Sequence, residues 1–179
     1  MLKIRASALG QVMGDAKSID PDLLDTPELK AIAAKKTKTD ADKAILAPLH
    51  RRSLSAGAKT FVKNAVRRAV FDYHPEMSCK YTEKGHAVEQ DSIDLYNFVH
   101  FTTHQKNEER RENNWIGGTC DIDAGDMIID IKSSWSLESF PIFDEDAHDT
   151  GYEWQVRGYM MLWDRPRAEV AFCMVDTPD

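Results

Sequence analysis

Residues 117–135, GGTCDIDAGDMIIDIKSSW, combine four aspartates and one lysine with small and apolar residues. Apolar and polar positions alternate over residues 119–123 and again over residues 127–132, which is typical of half-buried β-strands. Ala124 and Gly125 lie between the two runs and predict a tight two-residue loop. The segment therefore predicts a β-hairpin, which constrains the fold more than any other part of the chain.

The predicted hairpin has one apolar and one charged face, because successive side chains of a strand point to opposite sides of the sheet. The apolar face, which needs a core to cover it, consists of Cys120, Ile122, Met127, Ile129 and Ile131. The charged face consists of Thr119, Asp121, Asp123, Ile128, Asp130 and Lys132. In this register Asp121 faces Ile128 and is a diagonal neighbour of Asp130, about 7–8 Å away at the backbone.

At that separation the carboxylates of Asp121 and Asp130 could bind one divalent cation together. Aspartate is depleted in strands, and several carboxylates on one face repel each other unless something neutralises them. Oxygen ligands alone favour Mg²⁺ or Mn²⁺ over zinc, and Lys132 suits orienting a water or stabilising a charged phosphate transition state. The alternative is a hairpin whose charged face is simply solvated.

Residues 83–99, EKGHAVEQDSIDLYNFV, have the periodicity of an amphipathic helix. Two neighbouring stripes run along it, one of Val88, Leu95 and Val99 and the other of Glu89, Ile93 and Tyr96. Glu89 would lie at the edge of the buried face, where a carboxylate is costly unless it is paired or bound to a metal. It is therefore a candidate third acidic ligand.

A further helix is predicted over residues 152–163, YEWQVRGYMMLW, where nearly every turn carries an aromatic residue or methionine. Such a helix is covered on most sides. Gln155 and Tyr159 are four residues apart and share a face. They are either site residues or polar groups that satisfy each other within the core. The alternation in residues 168–177 predicts one more strand.

Positive charge is concentrated in residues 30–68, which contain eleven Lys or Arg against two acids, a balance of +9 in a chain whose net charge is −7. A basic segment of this kind is typical of contact with a phosphate backbone. Residues 54–73 predict a helix with an apolar face of Phe61, Val62, Ala65, Val66, Ala69 and Val70. Its other faces carry Lys59, Lys63, Arg67 and Arg68, which either bind DNA or form an ordinary solvated surface.

Length and composition indicate a single domain, since 179 residues of which 42% are hydrophobic can bury one sizeable core. No apolar run approaches about 18 residues and the N-terminus lacks a signal-like segment, so we expect a soluble intracellular protein without a membrane span. Three scattered cysteines, Cys79, Cys120 and Cys173, fit buried thiols in a reducing compartment. The basic segment at about 18–55 predicts short exposed helices and a candidate mobile flap.

Four features, taken in order along the chain, resemble the motifs of the PD-(D/E)XK nuclease superfamily. They are Glu89, Asp121 after GGTC, DIK at 130–132 and Gln155-x-x-x-Tyr159. Within it, the chain is similar to the phage lambda exonuclease and YqaJ-like recombination nucleases, with the Q-x-x-x-Y helix of RecB-type nuclease domains. The resemblance extends over IRAS (4–7), YTEKGHAVE (81–89), DIKSSW (130–135), WQVRGYM (154–160) and VDTP (175–178). It implies an α/β fold: a restriction-endonuclease-like core with a central mixed β-sheet flanked by helices, in one domain over residues 1–179.

The resemblance also implies a metal site. Its ligands for Mg²⁺, with Mn²⁺ as a substitute, would be Glu89, Asp121, Asp130 and the backbone carbonyl of Ile131. Lys132 would orient the attacking water or help to deprotonate it. Cys120 stands where many lambda-type members have proline, so Asp123 remains an alternative to Asp121.

Other positions would handle the DNA. Gln155 and Tyr159 resemble the residues that position the nucleophile side of the site and the scissile strand. Arg5 and Ser7 fall in the stretch that helps to hold a terminal phosphate in lambda-type enzymes, a role that suits a guanidinium and a hydroxyl. Lambda-type relatives continue into C-terminal helices beyond a strand such as the last one here, so a compact variant and a missing tail both remain open.

The implied activity is Mg²⁺-dependent hydrolysis of phosphodiester bonds in linear double-stranded DNA, from 5′ to 3′, for phage-type recombination. The implied partners are a single-strand annealing protein and further copies of the chain in a homo-oligomer such as a trimer. The implied location is the cytoplasm of a bacterial or phage-infected cell. Alternatives are an endonuclease or nickase on the same fold, a non-catalytic DNA-binding protein, and a hydrolase of small phosphoesters.

Overall fold

A computed structural model describes residues 3–73 and 87–176, which form two compact units. The sheet unit contains Met1–Gly10 and His74–Asp179, and the helical unit contains Gln11–Tyr73. Cys79 and most of the YTEKGHAVE stretch lie outside the described residues. Within the described part of the chain, no helix is both long and apolar enough to cross a membrane.

Six short strands and seven α-helices make up the described structure. The strands are β1 (Ile4–Arg5), β2 (Arg111–Glu112), β3 (Ile116–Gly118), β4 (Ile122–Asp123), β5 (Met127–Ser133) and β6 (Arg167–Cys173). The helices are α1 (Leu9–Met13), α2 (Pro27–Ala34), α3 (Asp40–Arg52), α4 (Ala56–Phe71), α5 (Glu89–His100), α6 (Asp144–Ala147) and α7 (Thr150–Trp163). Single 3-10 turns lie at Ala6–Ala8, Pro21–Leu23 and Leu137–Ser139.

The strands form two mixed three-stranded sheets, which confirms the predicted α/β class with mixed sheets flanked by helices. One sheet has the order β1-β3-β2, with β1 parallel and β2 antiparallel to β3. The other has the order β4-β5-β6, in which β4 and β5 form the predicted hairpin and β6 runs parallel to β5. Residues 119–121, predicted as part of a strand, instead connect β3 to β4.

Both faces of the second sheet are covered, because β5 directs alternate side chains toward different buried clusters. The cluster that includes side chains of α5 consists of Ile93, Tyr96, Ile122, Ile129, Ile131 and Cys173. The cluster that includes side chains of α7 consists of Ala6, Cys120, Ile128, Tyr159 and Trp163. Cys120 therefore lies with Ile128 and not with the other isoleucines as predicted, because it precedes β4 and is outside the regular alternation of the hairpin.

Helix α5 buries Ile93 and Tyr96 of one predicted stripe, but the other predicted stripe is buried only in part. Ser92, Ile93 and Tyr96 are buried, whereas Val99 is 57% exposed. The helix ends at His100 and is capped by Phe101 in the left-handed conformation, so Val99 lies in the last turn of the helix. The predictions for Ile93 and Tyr96 were right, Val88 is buried and Leu95 packs against the same cluster, so the prediction was wrong for Val99.

Helix α7 packs unusually closely on its neighbours, and two glycines permit this. A Cβ on Gly118 in β3 would lie 2.8 Å from the Tyr159 ring, and one on Gly158 would lie 2.6 Å from a methyl group of Leu9. Because Gly118 has no side chain, Tyr159 can lie directly against the end of β3.

Several polar contacts link segments of the helical unit. Thr39 and Asp42 form a capping box at the start of α3, and Lys35 pairs with Asp42 at 2.8 Å. Lys59 in α4 pairs with Asp20 at 2.9 Å. Helix α4 buries Ala58 and Ala65.

The valine stripe predicted to be buried along α4 is exposed instead: Val62, Val66 and Val70 are 46%, 51% and 66% exposed. The two alanines account for this difference, because their small side chains allow close packing along a neighbouring line of the same helix.

Candidate active site

The β4–β5 hairpin is shifted by two residues from the register that the sequence predicts, since Asp123 pairs with Ile128 and Ile122 with Ile129. Asp121 directly precedes β4, and its carboxylate reaches the backbone N–H of Ile131, the residue after Asp130. The loop is Gly125-Asp126 and not Ala124-Gly125, with Ala124 N–H donating to the Met127 carbonyl at 3.0 Å. The shift follows from Gly125, whose φ of +89° suits the first position of a type II′ turn.

Each aspartate has a different set of contacts. One oxygen of Asp121, Oδ2, accepts a hydrogen bond from the Ile131 backbone N–H at 2.7 Å. Asp130 is completely buried, and its Oδ1 accepts a hydrogen bond from Gln155 Nε2 at 3.0 Å. Its Oδ2 lies 2.7 Å from Lys132 Nζ, but the angles of this ion pair are not those of a hydrogen bond. Oδ2 therefore has no hydrogen-bond partner among the described residues.

Burial and mutual repulsion make this pair of acids hard to ionise. Burial raises the pKa of Asp121 to about 7, and the negative charge of Asp130 adds to this rise. Burial also raises the pKa of Asp130, although the charge of Lys132 opposes the change. A pair of carboxylates of which one is completely buried and the other half-buried is the arrangement that a bound cation would neutralise.

Lys132 and α7 complete the surroundings of Asp130. Lys132 Nζ lies 3.4 Å from Gln155 Oε1 and 4.7 Å from the centre of the Tyr152 ring. Gln155 Nε2 also lies 3.4 Å from Tyr159 Oη. Because burial raises the pKa of Tyr159 to about 12, its hydroxyl keeps its proton at neutral pH. The predicted residues Asp121, Asp130, Lys132, Gln155 and Tyr159 are thus brought together.

Glu89 is at the start of α5 and forms an ion pair that the sequence did not reveal. Lys106 Nζ lies 2.8 Å from Glu89 Oε2, and this carboxylate holds the pKa of Lys106 above its usual value. Lys106 belongs to a polar run, HQKNEERRENN, in which no periodicity marks one cation as different from another. Within residues 3–73 and 87–176, no three acidic, histidine or cysteine side chains are grouped so that they alone could hold a metal ion.

Asp123, the alternative to Asp121, is paired elsewhere. Arg165 forms a bidentate contact with its carboxylate, with both N···O distances at 2.8 Å. This guanidinium holds the pKa of Asp123 below its ordinary range. The geometry therefore brings Asp121, and not Asp123, beside Asp130.

The residues predicted to contact DNA are at the surface in both units. Arg5 in β1 and Ser7 in the following turn are exposed parts of the sheet unit. Lys59, Lys63 and Arg67 are exposed on α4 of the helical unit. Lys59 pairs with Asp20, and Arg67 donates a hydrogen bond to Asn64 at 3.0 Å.

Comparison with solved structures finds a similar protein, a phage-related exonuclease from Haemophilus somnus 129PT. The two chains are 32% identical and superpose with a TM-score of 0.74. The match covers 99% of the present chain and 70% of the other. No protein-family model and no curated protein matches the chain.

Proposed function

We propose, since this chain belongs to the family of phage-related exonucleases, that it is a Mg²⁺-dependent exonuclease of the PD-(D/E)XK type that degrades linear double-stranded DNA from 5′ to 3′. The observation that carries the proposal is the completely buried Asp130, with Lys132 beside it and with Asp121 hydrogen-bonded to the next residue, Ile131. Burying an acid beside a second, half-buried acid destabilises a fold, so this arrangement favours a catalytic site.

The donor atoms fit a magnesium ion. Asp130 Oδ2 is buried and lacks a hydrogen-bond partner among the described atoms, and both carboxylates are hard oxygen donors of the kind that Mg²⁺ prefers. The proposed ligands are Asp121, Asp130, the carbonyl of Ile131 and Glu89. When bound, the ion would polarise the scissile phosphate and neutralise charge on the leaving oxygen.

The neighbouring side chains would orient the reactants. Lys132 lies within reach of Asp130 and Gln155, so its ammonium group can orient the attacking water and stabilise negative charge on the phosphate. Gln155 holds Asp130 Oδ1 at 3.0 Å, and Asp130 Oδ2 lies 2.7 Å from Lys132 Nζ. Tyr159, which remains protonated, can donate a hydrogen bond to the DNA strand.

Contacts with the DNA backbone would come from positive surface residues. Arg5 and Ser7 are proposed to hold the terminal phosphate, and Lys59, Lys63 and Arg67 to attract the duplex. Affinity for DNA should therefore fall steeply as salt is added. A recombination role with an annealing protein, a homo-oligomer such as a trimer and a cytoplasmic location are further parts of the proposal.

Substrate form provides the test. Purified protein with Mg²⁺ is incubated with a linear 5′-phosphorylated duplex and with covalently closed circular DNA, and strand-specific end labels report the polarity. The proposal predicts degradation of the linear DNA alone, with the 5′ label released first. Cutting of the closed circle would favour the endonuclease, and early release of the 3′ label would reverse the proposed polarity.

A further inference from the structure

Lys106 is held in place by a segment, residues 102–110, that is fixed at two points. Asn97 on α5 fixes one point, because its side-chain amide donates to the His104 carbonyl and its Oδ1 accepts from the His104 N–H, both at 2.9 Å. Asn107 fixes the other, because its backbone N–H donates to the Asp121 carbonyl at 2.7 Å and its side chain donates to the Cys120 carbonyl at 3.0 Å. Lys106 is therefore adjacent in sequence to a residue bonded directly to Asp121.

The position of Lys106 matters because it contacts the third acid of the proposed site. Its Nζ lies 2.8 Å from Glu89 Oε2, and the Glu89 side chain is only 19% exposed. Glu89 is near the other two acids, because its negative charge contributes to the raised pKa of Asp121. The positive charge of Lys106 neutralises the Glu89 carboxylate and repels any other cation that approaches it.

We propose that Lys106 is a built-in counter-ion of Glu89, so that the first divalent ion binds at Asp121–Asp130 and Lys106 must be displaced before Glu89 can act as a ligand. Lys106 is a positioning residue in this account, since it acts on the metal site through Glu89. The inference rests on the proposed function, because it takes Asp121 and Asp130 to be metal ligands. Without Lys106, Glu89 would be free to join the site or to hold a second ion.

Metal binding without DNA tests this directly, because catalysis does not enter the measurement. Mn²⁺ is titrated calorimetrically into the full chain and into the Lys106→Met and Lys106→Gln variants, both of which remove the charge. Lys3→Met is the matched control, since Lys3 forms an exposed ion pair with Glu112 in the same unit. We expect one ion in the wild type, and in both Lys106 variants either a second ion or binding at least about fivefold tighter. The control should bind as the wild type does.

The same titrations in a Glu89→Gln protein show whether the effect of Lys106 on Mn²⁺ binding depends on the Glu89 carboxylate. Adding Lys106→Met to Glu89→Gln should produce no gain in Mn²⁺ binding, because the released carboxylate is absent. Unchanged or weaker binding in both Lys106 variants would overturn the inference, as would a gain that persists in the Glu89→Gln background. Failure of the proposed function would look different: the wild type itself would bind no Mn²⁺, or Asp130→Asn would bind as well as the wild type.

Discussion

Gln155 donates a hydrogen bond from Nε2 to Asp130 Oδ1 across 3.0 Å, joining helix α7 to strand β5 inside the protein. The oxygen of the same side-chain amide, Gln155 Oε1, lies 3.4 Å from Lys132 Nζ. Gln155 therefore contacts both the buried acid and the lysine proposed to act on the DNA. Its amide sets the direction in which Asp130 presents its remaining oxygen.

We expect Gln155→Met to reduce both stability and activity. The variant keeps a similar side-chain volume but leaves Asp130 Oδ1 without its donor, and an unsatisfied buried acceptor costs about 1–3 kcal/mol. DNA cleavage should fall roughly 10–100-fold, because Asp130 is no longer held in one orientation. Urea unfolding and nuclease rates measured on one preparation would check both effects.

Gln90→Met is the matched control for this variant. Gln90 donates a hydrogen bond to Asp94 at 2.9 Å, but this pair is exposed on α5. Water replaces the lost bond there, so the control should change stability by less than about 0.5 kcal/mol and leave cleavage intact. Equal effects of the two variants would show that the buried contact has no special role.

Asp121→Asn should stabilise the metal-free protein at pH 8. The folded-state pKa of about 7 exceeds the ordinary value of 3.8, so between these values the folded state binds more protons than the unfolded state. Stability must therefore fall as pH rises through this range. The asparagine variant does not carry this charge, and we expect it to be more stable than the wild type by about 1–3 kcal/mol at pH 8.

The pH dependence separates this effect from a simple change in packing. The difference in thermal unfolding between Asp121→Asn and the wild type should shrink as pH is lowered toward 4, where Asp121 is protonated in the folded protein. Mg²⁺ should stabilise the wild type more than the variant. A stability difference that is the same at pH 8 and pH 4 would contradict the raised pKa.

Asp42 in the helical unit should show the opposite dependence on pH. Its hydrogen bond from Lys35, together with those from Thr39, lowers its pKa to about 2. Stability from this carboxylate is present above about pH 4 and is lost as pH falls toward 2. Asp42→Asn should destabilise α3 at pH 7, measured by hydrogen exchange of its amides, with little further loss at pH 2.

Asp40→Asn is the control for Asp42, because Asp40 is 98% exposed and pairs only with exposed Lys43 in the same helix. We expect no comparable change in exchange for this variant. If Asp40→Asn and Asp42→Asn accelerate exchange equally, the capping box does not account for the stability of α3.

The two-residue period of a strand made the grouping of Asp121, Asp130 and Lys132 predictable, because a register error of two residues leaves every side chain on the same face. The distance between Asp121 and Asp130 was not predictable in the same way. It depends on whether Gly125 is the first or second residue of the loop, and both choices suit a tight hairpin.

The contact between Glu89 and Lys106, 17 residues apart in sequence, escaped prediction. Periodicity placed Glu89 at the edge of a buried face, but only the folding of residues 102–110 brings Lys106 to it. The burial of Val62 was mispredicted for a related reason. Periodicity identifies an apolar face, but the packing of the small residues Ala58 and Ala65 decides which part of α4 is covered.

Cleavage of a linear 5′-phosphorylated duplex by the wild type and by Asp130→Asn tests the central claim most directly. Released nucleotides are measured with Mg²⁺ and with a chelator present. The account predicts Mg²⁺-dependent release by the wild type and a loss of at least about 1,000-fold in the variant, because Asp130 is the buried acid at the centre of the site. Release by Asp130→Asn at the wild-type rate would contradict the account.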